Sequence, residues 1–69
     1  MKEYLVRVKG KVEGRYFNCV TTATWEASSK QLALQAVASL SPEYFSWPNC
    51  RGEDISEIYS YEVVAEKPV

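Results

Sequence analysis

Residues 3–12 read EYLVRVKGKV, and apolar and charged side chains alternate along them. Tyr4, Val6, Val8 and Val12 fall on one side; Arg7, Lys9 and Lys11 fall on the other. Successive side chains leave opposite faces of a pleated strand, so this alternation with one apolar side is the pattern of a half-buried β-strand. Glu13-Gly14 follows, and then RYFNCVTTATW, residues 15–25, a second β-favouring run. So short a connection, with a glycine free to take positive φ, predicts a tight hairpin. Setting Val12 opposite Arg15 fixes the rest of the ladder. Gly10 then faces Phe17, Val8 faces Cys19, Val6 faces Thr21 and Tyr4 faces Ala23. All of these share the apolar side, and Phe17 would cover the gap left at Gly10.

Beyond the hairpin the period changes. Ser28 with Gln31 is a capping-box pattern directly before LALQAVASL. Leu32, Ala33, Ala36, Val37 and Leu40 make a stripe about 140° wide, which predicts an amphipathic helix over 29–40. Pro42 ends it, because proline disfavours helical geometry in the residue before it. Residues 41–54, SPEYFSWPNCRGED, are a connector rich in proline and aromatics. Residues 55–66 resume the alternation, with Tyr59, Tyr61, Val63 and Ala65 on one side and Ser60, Glu62, Val64 and Glu66 on the other. Lys67-Pro68-Val69 is expected to fray. The strands are thus expected near 3–12, 15–25 and 55–66.

This ββαβ order predicts one α+β domain spanning residues 1–69. A right-handed crossover from the second strand to the third leaves the first strand in the middle. The sheet is expected to be three-stranded and antiparallel, in order 2-1-3, with one helix packed on one face.

The chain has 69 residues, too few for a second core, and 46% are hydrophobic, a globular composition. A domain of this size has a stability margin on the order of a few kcal/mol, so most apolar groups are needed for folding. It contains two cysteines, Cys19 and Cys50, and no histidine. A Ser-His-Asp triad is therefore excluded, and a monomer cannot supply the four or so Cys or His ligands of a structural zinc site. Cys19 lies on the apolar side as a small hydrophobe, and Cys50 is expected to be more exposed. Two thiols without a denser disulfide framework suit a reducing cytosol. With neither a signal-peptide pattern nor a long apolar run, the protein is expected to be cytoplasmic and free of membranes. No cofactor motif is present, and no self-contained enzyme is expected.

Two surfaces compete for a binding role. The connector places Tyr44, Phe45, Trp47 and Arg51 close together, and these residue types dominate protein-binding hot spots. The plainer reading is that the aromatics close the open end of the core. Arg7, Lys9 and Lys11, joined by Tyr16, would make a cationic sheet face able to hold single-stranded nucleic acid. Against this, Glu62 and Glu66 are expected on the same face as counter-charges, and the pI near 5.3 disfavours phosphate binding. Size and element order are those of many short phage and mobile-element accessory proteins, an association that assigns no residue. The expectation is a small protein that binds and inhibits a host protein of unknown identity. It could also form a homodimer through an edge strand, with nucleic-acid binding as the alternative.

Overall fold

The computed structural model describes all 69 residues. Strand β1 is Lys2–Lys11, β2 is Asn18–Ala27, helix α1 is Lys30–Ala38 and β3 is Glu57–Pro68, with a 3₁₀ turn at Pro42–Tyr44. The sheet is antiparallel in order β2-β1-β3, and α1 lies across one face. This is the ββαβ arrangement that the alternation and the crossover rule require.

The hairpin forms around the expected turn, but its ladder is displaced. Gly14 takes φ 82° and the Arg15 amide donates to the Val12 carbonyl at 3.1 Å. Pairing does not resume until Asn18, opposite Lys11. Gly10 therefore faces Cys19, Val8 faces Thr21, Val6 faces Ala23 and Tyr4 faces Trp25. Every partner is two residues further along β2 than strict two-residue closure requires. The side-chain period is also two, so the slide keeps the apolar face intact, and face alternation alone cannot detect it.

Two bulges in β3 redistribute its side chains. Gly10 pairs with Ile58 and Lys9 with Ser60, leaving Tyr59 as an extra residue. Val6 pairs with Val63 and Leu5 with Ala65, leaving Val64 as another. Tyr61 and Val63 stay against the core as expected, while Tyr59 and Ala65 do not. Lys67 and Pro68, expected to fray, are paired with Glu3 and Lys2.

Helix α1 begins one residue later than the capping pattern indicates. Ser29 is the N-cap, its Oγ accepting from the Leu32 amide at 3.2 Å. The buried stripe runs through Ala33 and Val37, with Leu34 and Leu40 beside it, and leaves Leu32 half-exposed. Nine residues of helix are about 14 Å long, whereas the molecule measures 39 Å along its long axis. One helix cannot cover such strands. It covers the middle and the Tyr4 end, where Ala33 packs with Tyr4 and Ala27. The Gly10 end is left for another segment to close.

Candidate interaction surfaces

The connector is that segment. Phe45 is 9% exposed, Trp47 8% and Cys50 3%, and they form one cluster with Val6, Val8, Cys19 and Val37. Phe45 stacks edge-on against Trp47, with centroids 5.9 Å apart, and Trp47 donates its indole N–H to the Pro42 carbonyl at 3.0 Å. A hypothetical Cβ on Gly10 would lie 2.7 Å from Ile55 Cγ2 and 3.3 Å from the far edge of the Trp47 ring. Trp47 and Ile55, rather than Phe17, fill the space beside Gly10; Phe17 is 49% exposed. Tyr44 and Arg51 remain at the surface. Arg51 borders an open groove of about 700 Å³ between Pro42 and Ile55, which Tyr44 does not line.

Cys50 is buried rather than exposed, and it is bonded to Cys19 as a disulfide, with a Cα–Cα distance of 5.8 Å. No free thiol exists in the molecule. The bridge ties the connector to β2, and polar contacts reinforce it. Thr21 Oγ1 donates to the Ser46 carbonyl. The Asn49 carboxamide accepts from the Val20 amide at 3.0 Å and donates to the Asn18 carbonyl at 2.8 Å. Asn49 thereby imitates a neighbouring strand along the first part of the β2 edge. At its far end the connector bonds to β1, where the Ser56 amide and hydroxyl both reach the Lys11 carbonyl, at 2.8 and 3.0 Å.

The opposite sheet face carries no helix and no connector. Arg7 lies on it, paired at a long 3.5 Å with Glu62. Lys67 pairs with Glu3 at 3.2 Å on the same face. Glu66 is not a counter-charge here. The Val64 bulge turns it to the helix side opposite Tyr4, where it meets Lys2 at 3.3 Å. Lys9 and Lys11 consequently have no ion-pair partner, and the Lys11 ammonium sits 5.2 Å from the centre of the Tyr59 ring. The open face is a mosaic of both signs, with Glu57 in register beside Lys11 and Glu26 beside Glu3.

Beyond Lys11, loop 12–17 projects Tyr16, whose side chain is fully exposed. Arg15 anchors the loop, donating through Nε at 3.0 Å and Nη2 at 2.6 Å to one oxygen of Glu53. Arg7, Lys9 and Lys11 therefore share the open face, with Tyr16 in the loop beyond it, whereas the four connector residues divide between core and surface. Tyr59 was absent from both candidate sets. Only a bulge, which alternation cannot reveal, puts it on the open face.

No family model matches the chain, and neither does any curated protein or solved structure. No helix is long and apolar enough to cross a membrane.

Proposed function

We propose that this chain is a non-catalytic module that binds another protein through its open sheet face and the adjoining loop 12–17. One observation carries the reading. Helix and connector occupy the same side of the sheet, so the other side of all three strands is uncovered and ends at Lys11, Tyr59 and the projecting Tyr16. Exposed tyrosines, one of them beside an unpaired lysine, are residue types that anchor protein interfaces. The mixed charge of the face supports a partner surface of mixed charge rather than a polyanion. Occlusion of a host protein's surface would be one use of such a module. The thiols that suited a reducing cytosol are joined in a disulfide, so that part of the cytoplasmic expectation loses its support. A buried disulfide supports maturation in an oxidising compartment, which would place the partner there too.

A photo-crosslinking residue at position 16 tests this directly. Position 16 should capture a discrete partner in the native host, whereas the same group at Gln35, on the exposed side of α1, should not. Equal capture from both positions would remove the reading.

The unpaired Lys9, and the unpaired Lys11 over the Tyr59 ring, support a second reading, single-stranded nucleic acid, in which bases stack on tyrosine and phosphates meet lysine. Its mark would be oligonucleotide affinity that falls steeply with salt and is lost in Lys9→Glu/Lys11→Glu. Affinity indifferent to salt would eliminate it.

A further inference from the structure

We propose that two copies of this chain join edge to edge through residues 22–26 of β2, forming one continuous sheet about a two-fold axis at Thr24. This goes beyond the binding reading above and needs no other partner.

The outward direction of the β2 backbone is set by its contacts. The Val20 amide and Asn18 carbonyl point away from β1, because both bond to Asn49. Backbone groups two residues apart point the same way, so those of Thr22, Thr24 and Glu26 also face outward. None of them bonds to any other part of the chain. Asn49 takes up one backbone group each of Asn18 and Val20 and leaves the next three outward-facing residues open. The opposite edge of the sheet, on β3, is interrupted by the bulges at Tyr59 and Val64, and bulges blunt an edge against pairing. Residues 22–26 are thus the regular open edge.

The side chains there are self-complementary. An antiparallel two-fold pairing at Thr24 sets Thr24 opposite Thr24, and Thr22 opposite Glu26 of the second copy. Each such pair can exchange both backbone hydrogen bonds. On the helix side the same register sets Trp25 opposite Ala23 of the second copy, a large side chain against a small one, and both are only partly buried in the single chain. Charge supplies the preference for a second copy over an arbitrary strand. Glu26 lies in register with Glu3 within its own chain, a like-charge pairing, and has no ion-pair partner. Thr22 is in register with Arg7. The dimer would place Glu26 two strand spacings, about 10 Å, from Arg7 of the second copy, within the combined reach of the two side chains. Like charges are not opposed anywhere along the new ladder.

Sedimentation equilibrium of the oxidised chain from micromolar to millimolar concentration tests this, alongside Thr24→Lys and Val64→Lys. The native chain should reach twice its monomer mass. Thr24→Lys opposes two ammonium groups across the axis and should raise the dissociation constant at least about tenfold, while Val64→Lys on the other edge should leave it unchanged. A native chain that stays monomeric, a dimer indifferent to Thr24→Lys, or one lost on Val64→Lys would each overturn the proposal. Amide exchange in the native chain provides a readout that needs no variant. The Thr22, Thr24 and Glu26 amides should become protected as concentration rises, and unchanged exchange at millimolar concentration would also overturn it.

Discussion

The connector between α1 and β3 and the loop between β1 and β2 are alike in composition and opposite in fate. Both are irregular and carry adjacent or near-adjacent aromatics. The connector buries Phe45 and Trp47, while the loop leaves Tyr16 fully exposed and Phe17 half-exposed. Composition does not separate them; anchorage and available area do. The connector is fixed by a disulfide, by Thr21 and Asn49, and by two bonds to Lys11, over a stretch of sheet that the helix is too short to cover. The loop has a single turn bond and one exposed ion pair, and only Val12 of it packs against the core. An aromatic in a loop is core or contact surface according to what the neighbouring elements leave bare.

That contrast can be broken most severely at Trp47. Trp47→Ala should cost about 3–5 kcal/mol, close to the whole stability of a domain this small, and should abolish the cooperative urea transition. Removing the bridge is the next largest effect. Cys50→Ala should lose about 2–4 kcal/mol relative to the oxidised chain, seen as a lower melting temperature, and reduction of the native chain should act in the same direction. Gly10→Ala sharpens the point that the connector, not Phe17, fills the gap in β1. Its methyl would press on Ile55 and on the Glu57 carbonyl 3.1 Å away, costing about 1–3 kcal/mol by denaturant titration. Asn49→Ala should cost about 1 kcal/mol and speed exchange of the Val20 amide, since both lost bonds can be replaced by water. The smallest effect belongs to the loop. Tyr16→Ala should stay within about 0.5 kcal/mol of the native chain, and a larger loss would mean that the loop too is structural.

What alternation can report explains which features were legible. Period-two patterning exposed β1, β2 and the strand order, because the rules linking face, hairpin and crossover act on whole elements. The two-residue slide in the hairpin is invisible to alternation, since positions 17 and 19 are two residues apart and a period of two assigns them one face. The bulges at Tyr59 and Val64 were invisible for the opposite reason. Each inverts the faces after it, and nothing in the local residue types marks the inversion. Hence alternation places Glu62 correctly beside Arg7 and puts Glu66 on the wrong face. The disulfide escaped because Cys19 and Cys50 are far apart in the chain, and only the fold of the connector brings them together. Of the candidate residues, Arg7, Lys9 and Lys11 were legible as one face. The division of Tyr44 and Arg51 from Phe45 and Trp47 depended on how much sheet a nine-residue helix could cover.

The pairing of Lys2 with Pro68 has a mechanical consequence. The outer ends of β1 and β3 leave the sheet at one corner, remote from loop 12–17. Tension between those two points would load the β1–β3 ladder one rung at a time, as a zipper opens, instead of shearing all its bonds together. The molecule should therefore yield at low force when pulled from that corner, and resist far more when pulled from Lys2 and the Lys11 end of the same sheet. Anything attached at either terminus would emerge beside the other, leaving the open face and its tyrosines clear.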